Sequence, residues 1–330
     1  MHKIGYFVNN HGTGHTNRLF CLVQELEAMN YDYKLYVFAE NVDKIYDLGL
    51  PIKLHSPIEV IKLPTPNWGP VCKGEVYHCL PNNHKEYFKP IVSTCINEDI
   101  QTFVSDLSVE VGMAVRLHVD KLVYILLHGD RVDGPHQNMF HIADKLIVPF
   151  HQILEDSYFR EFSREFNLVY SGGFLKFQYQ SREEFYPSEY DSNRRNVLII
   201  LGTGGDTFDE SYIDIDPNVY NVVILGKKKF VDPYNYIRCA DIVVANAGDS
   251  IMHEIAYFNK PYICIPEDRP FREQEIKGMT LFREGMALTS SWRGLLSEDI
   301  EVLDKLEHKD KSILIQNDKA NLYANEIINC

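Results

Sequence analysis

The sequence predicts an α/β protein built as two doubly wound, parallel-sheet halves that face each other across a cleft. Three observations predict it. Short β-rich apolar runs recur with helical or loop stretches between them, the rhythm of a parallel sheet with helices on both faces. That rhythm breaks at 171–195, where glycines, serines and charges crowd together, and then restarts. Finally, 330 residues with 45% hydrophobic and 24% charged content are enough for two soluble cores of ordinary size.

Taken in order, the first half, 1–170, offers strand-like runs at "KIGYFV" (3–8), "YKLYVFA" (33–39), "IKLHSP" (52–57), "QTFVSD" (101–106), "KLVYILL" (121–127) and "DKLIVPF" (144–150). The stretch 171–195 reads as a linker. The second half, 196–330, restarts with "NVLIILGTGGDTF" (196–208), "NVVILGK" (221–227), "ADIVVANAGDS" (240–250) and "KPYICIPED" (260–268). Two Rossmann-like halves of this kind place ligands at the carboxyl ends of their strands.

The first strand empties into "NNHGTGHTNRLF" (9–20). Glycines beside a helix start suggest phosphate binding, but the spacing matches neither G-x-G-x-x-G nor a Gly-Lys-Ser/Thr loop. What remains is a tight glycine turn that presents His15 at a strand-to-helix junction, either as a reactive imidazole or as a residue that closes the turn. A neutral imidazole near pH 7 can take a proton from a hydroxyl when a carboxylate fixes its other nitrogen. The strand "QTFVSD" ends in such a carboxylate, Asp106, which could equally cap the helix that follows.

The segment 240–288 starts as a buried strand, turns at Gly248, runs as a helix from about Asp249 to Phe258, returns as a strand to Pro266, and enters a charged loop holding Gln274. This order resembles the C-terminal domain of GT-B glycosyltransferases, particularly the bacterial peptidoglycan N-acetylglucosaminyltransferase and its relatives. The resemblance implies a uridine-type nucleotide-sugar donor bound in the second half. Gly248 and Ser250 would face the diphosphate, Glu254 the ribose hydroxyls and Gln274 the donor sugar. Gly202, Thr203, Gly204 and Gly205 look like the loop beside the phosphates, and Asn246 and Arg272 complete the donor set. Thr207 and Arg269 are further candidates. In the first half, "GTGHTNR" is similar to the glycine-histidine loop of the same superfamily. That likeness implies His15 as general base oriented by Asp106. Gly14, Arg18, His128 and Arg131 are placed toward a hydroxyl acceptor, with His11, His128 and Arg131 the weaker candidates although "LHGDR" ends a strand-like run facing the cleft.

The resemblance further implies inversion, no metal and no cofactor beyond the nucleotide-sugar co-substrate. One departure stands out. Asp249 falls where relatives commonly carry a small or neutral residue, and a carboxylate there repels a diphosphate by about 1 kcal/mol even in water at 4 Å, unless it turns away as an N-cap. A hydrolase, an epimerase or a non-catalytic nucleotide-sugar binder would share this donor half.

A net charge of −14 argues against a nucleic-acid groove. The absence of an apolar run of about 18 residues or of a signal-like start leads to the expectation of a cytoplasmic chain. Seven cysteines, odd in number and irregularly spaced, read as reduced thiols. Cys72, His78 and Cys79 match no common zinc spacing, and "DIDP", with Asp214 and Asp216, reads as a turn. The stripe Phe159, Phe162 and Phe166 with Arg160 and Arg164 is either core packing or a peripheral surface for a lipid-linked acceptor.

Overall fold

The computed structural model describes residues 1–10, 12–48, 56–68, 77–162, 165–202, 208–226, 231–292, 297–306, 309–315 and 319–329. The first half alternates β1 (His2–Val8), α1 (Gly14–Ala28), β2 (Tyr33–Ala39), α2 (Asp43–Tyr46), β3 (Ile58–Lys62), α3 (His84–Glu98), β4 (Thr102–Asp106), α4 (Val109–Val115), β5 (Lys121–Ile125), α5 (Gly134–Ile142), β6 (Lys145–Val148), α6 (Ser157–Phe162) and β7 (Leu168–Tyr170). Among the described residues its seven strands are all parallel, in the order β3-β2-β1-β4-β5-β6-β7. Central strands such as β4 are buried along their whole length, because helices cover both faces.

The edge strand shows where sequence reading slipped. Most of the run expected at 52–57 lies outside the described residues, which omit 49–55, and the segment that pairs with β2 is Ile58–Lys62. The reason is position. An edge strand is covered less completely, and "IEVIK" is half-exposed with two charged residues among three apolar ones, whereas apolar runs mark strands buried on both faces.

The second half contains β8 (Arg195–Ile200), β9 (Tyr220–Leu225), α7 (Tyr234–Cys239), β10 (Ile242–Ala245), α8 (Asp249–Tyr257), β11 (Tyr262–Cys264), α9 (Glu273–Arg283), β12 (Leu288–Thr289), α10 (Ser297–Lys305) and α11 (Lys319–Ile328). Its parallel sheet runs β12-β11-β10-β8-β9, so its strand order reverses beside β8, between β8 and β10, where open α/β sheets bind ligands. The last helix does not stay with it. Tyr323, Ala324 and Ile327 are buried among Leu19, Leu22, Leu26 and Tyr6 of the first half, and the Tyr323 hydroxyl lies 3.1 Å from that of Tyr6. Among the described residues, no helix is long and apolar enough to cross a membrane.

Candidate active site

Three elements of the first half build one side of the site. β1 ends at Val8, the chain turns through Gly12 at φ +69°, and α1 begins at Gly14, which puts His15 in its first turn. β4, beside β1 in the sheet, ends at Asp106. The next residue, Leu107, adopts φ +67°, a left-handed conformation that costs a non-glycine residue of order 1 kcal/mol or more. This sharp turn leaves Asp106 pointing inward while Ser108 caps α4, its Oγ accepting from Val111 N at 3.2 Å. Asp106 is therefore not the cap.

Asp106 is completely buried and receives three side chains. His15 Nδ1 lies 3.0 Å from Oδ1. Arg18, one turn further along α1, donates from Nε to Oδ2 at 3.0 Å and from Nη2 to Oδ1 at 2.9 Å. The Tyr6 hydroxyl adds a bond to Oδ2 at 3.3 Å. Burial alone would raise the Asp106 pKa, but Arg18 and His15 beside it bring it down to about 2. His15 Nδ1 also lies 2.9 Å from Arg18 Nη2, which can only donate, so this ring nitrogen faces both the ionised carboxylate and an arginine N–H. In the tautomer protonated on Nδ1 toward Asp106, Nε2 carries the lone pair a base requires.

The opposite side begins at α8. Gly248 caps it, its N–H donating to Asn246 Oδ1 at 3.0 Å. Asn246 also packs against Gly202, where an added Cβ would fall 2.4 Å from its Nδ2; the strand ends of β8 and β10 approach that closely only without a side chain. The Gln274 carbonyl accepts from Ala247 N at 3.2 Å and Glu267 N at 2.9 Å, tying the turn into α8 to the loop after β11. Thr203, Gly204, Gly205, Thr207 and His11 lie outside the described residues.

The two sides touch. Asn17 Nδ2 donates to Ser250 Oγ at 2.9 Å, and Arg18 Nη1 lies 3.5 Å from Asp249 Oδ2. Asp249 is also bonded to the ammonium of Lys277 on α9, a side chain with no solvent exposure. Burial would raise the Asp249 pKa, yet Lys277 and Arg18 hold it well below the ordinary carboxylate range. Lys277 reaches Glu273 at 3.6 Å, and Glu273 reaches Arg131 of the first half at 3.6 Å. Only about 10 Å³ remains between Gly14, Asn17, Arg18, Asp249, Ser250 and His253, room for about one water.

Glu254, on the second turn of α8, is largely buried, and burial pushes its pKa up to about 8, less far than it would go without Arg182 and Lys176 of the linker. Arg272 is exposed and paired with Glu275 and with Asp130 of the first half, at 3.1 Å to the latter. Arg269 is paired with Glu267. His128 has no exposed surface; it stacks on Phe150 with centroids 3.6 Å apart, its Nε2–H donates to Leu154 O, and burial lowers its pKa to about 3. Phe159 is buried against the same Phe150, and Phe166 lies edge-on to Phe140, so this part of the aromatic stripe faces inward. The Phe162 side chain and Arg164 lie outside the described residues.

Sequence reading missed a second cluster at the carboxyl end of β5. His78 Nε2 donates to Asp133 Oδ1 at 2.6 Å, and His136 Nδ1 lies 2.8 Å from Asp133 Oδ2. These three residues bring ligand-type atoms within 4.8 Å of one another. Arg131, which can only donate, lies 3.1 Å from His136 Nε2; the His136 proton therefore sits on Nδ1, which donates to Asp133 and has no lone pair for a cation. Phe271 of the second half packs its ring edge on His78 and His136 and its face on Arg131. Both Phe271 and Arg272 are left-handed, at φ +60° and +54°. The Phe271 carbonyl accepts from Asp130 N at 2.8 Å beside Gly129, where a Cβ would meet it at 2.9 Å. Lys277 was missed as well. Its signal was a lysine four residues after Glu273 on the buried face of a helix that also carries Gln274, Ile276 and Leu281.

Residues 171–328 match the glycosyltransferase family 28 C-terminal domain. The chain has the GT-B fold, and its second half carries a glycosyltransferase domain. It is 24% identical to an uncharacterized glycosyltransferase of Methanosarcina mazei, over 94% of this chain and 92% of that one. Its fold is shared with the MurG structure of Acinetobacter baumannii, at TM-score 0.61 and 12% identity with complete coverage of both chains. A candidate UDP-N-acetylglucosamine 2-epimerase of Listeria monocytogenes is as similar in fold, at TM-score 0.62 and 12% identity over 99% of this chain and 94% of that one. The glycosyltransferase of kitacinnamycin follows at 0.57 and 11%, with the same coverage.

Proposed function

We propose that this glycosyltransferase moves a sugar from a uridine-type nucleoside diphosphate to a hydroxyl acceptor, with inversion and without a metal. The observation that carries the reading is the placement of the buried His15–Asp106 pair one residue contact away from the start of α8, through Asn17 and Ser250. His15 Nε2 takes the acceptor's proton as its oxygen bonds to the anomeric carbon. The bond from that carbon to the diphosphate breaks, and the released charge is stabilised at the α8 N-terminus. Asp106 stabilises the imidazolium that forms. The pocket between Gly14, Arg18, Asp249 and Ser250 holds only about one water, so a donor reaching the start of α8 requires the halves to part there and close again.

The test is product analysis with a panel of uridine-diphosphate sugars, with and without hydroxyl acceptors. Acceptor-dependent release of the diphosphate together with a new glycoside is expected. Free sugar at the same rate without acceptor would mean a hydrolase, and an isomerised donor would mean an epimerase.

A further inference from the structure

The start of α8 is where a diphosphate is drawn, and in this chain a carboxylate already stands there. Asp249 occupies the first turn and is gripped from both sides of the cleft, by Lys277 of α9 and by Arg18 of α1. Both cations are nearly or wholly buried: Arg18 is 3% exposed and Lys277 not at all. Each has another acidic partner behind it, Asp106 at 2.9 Å for Arg18 and Glu273 at 3.6 Å for Lys277.

We propose that Lys277 and Arg18 are the cations that receive the donor's diphosphate, and that Asp249 holds their place until it arrives. This rests on the nucleotide-sugar reading above and names the residues that would make the donor site anionophilic in this chain. Asp106 and Glu273 keep the two buried cations from being stranded when Asp249 withdraws, so the carboxylate between them can be exchanged for another anion. A diphosphate carries more charge and more acceptor oxygens than one carboxylate. It can therefore take over both cations and the helix N-terminus together, with Lys277 acting as a point charge. Because Arg18 comes from the first half and Lys277 from the second, the same exchange joins the halves around the donor. The remaining arginines near the loop are engaged elsewhere, Arg269 with Glu267 and Arg272 with Asp130 and Glu275.

The sign of one substitution separates this from a purely structural ion pair. Titration calorimetry would measure UDP, inorganic pyrophosphate and uridine binding to the full chain, with thermal unfolding as the control for folding. Asp249→Asn is expected to bind UDP and pyrophosphate about tenfold or more tighter, since a like charge is removed from a low-dielectric site, with uridine unchanged. Lys277→Gln is expected to bind both anions at least tenfold more weakly. The double variant Asp249→Asn/Lys277→Gln removes the pair together and leaves neither charge stranded. It is expected to fold and to bind pyrophosphate more weakly than wild type. Unchanged or weaker anion binding by a folded Asp249→Asn, or equal binding by wild type and the double variant, overturns the proposal while UDP binding by the wild type leaves the functional reading intact. A wild type that binds none of the three probes overturns the functional reading and this proposal with it.

Discussion

Two histidine–aspartate pairs sit at the strand ends of the same sheet and are set up differently. His15 and Asp106 are buried, and a two-point arginine shares the carboxylate. His78 and Asp133 are partly exposed, and the additional neighbours are a second carboxylate, Glu110 at 3.6 Å, and the neutral His136. Burial works against protonating His78, but Glu110 and Asp133 outweigh it and raise its pKa above the ordinary histidine value. His136, desolvated and next to Arg131, is lowered to about 4. The lesson is that a histidine–aspartate contact does not by itself make a base. An arginine on the carboxylate leaves it one proton partner to orient, whereas two carboxylates around an imidazole favour a cation that clamps loops together.

The largest expected effect tests the first pair. His15→Ala should lower transfer by about 10² to 10⁴ while leaving UDP affinity nearly intact, the usual share of a positioned base. Asp106→Asn should move the rate in the same direction by less. The double variant should lose less than the sum, because residues that act as a unit are not additive; steady-state rates and calorimetry on the three variants check this. A loss of UDP affinity with an unchanged saturated rate would instead make His15 a donor contact and erase the contrast between the pairs.

A smaller effect is expected at the second pair. His78→Gln should change the saturated transfer rate by no more than about threefold if the cluster only holds loops, since a base contributes at least about a hundredfold. A drop comparable to that of His15→Ala would show that the wrong pair has been assigned the chemistry.

The smallest effect lies in stability against pH. A histidine raised in the native state stabilises fully below its unfolded value of about 6.5, and that contribution fades as pH rises through the raised native value. Asp133 and Glu110, both lowered, stabilise above their ordinary values and lose that contribution as pH falls through the lowered ones. His136, lowered, works against stability as pH drops below about 6.5. The melting-temperature difference between wild type and His78→Gln should therefore be largest near pH 5–6 and shrink toward pH 9. A difference independent of pH would mean that His78 matters by packing against Phe271 alone.

The sequence by itself determined the two-half α/β plan and the positions of most strands, because apolar runs and glycine turns are local patterns that any covered parallel sheet imposes. It also nominated His15 and Asp106 at element ends that could be read locally, and Gly248, Glu254 and Gln274 through a family resemblance carried by the order of strand, turn, helix and strand. The edge strand at 58–62 escaped because half-exposure dilutes the apolar signal. Tertiary structure alone decided who meets whom: Arg18 reaches Asp106 across 88 residues, Lys277 closes on Asp249 across 28, and His78 finds Asp133 across 55. It also decided that the last helix returns to the first half. Charge pairing between residues far apart in the chain leaves no periodicity in it. Its energy depends on burial and distance, quantities that exist only once the two sheets have folded and faced each other.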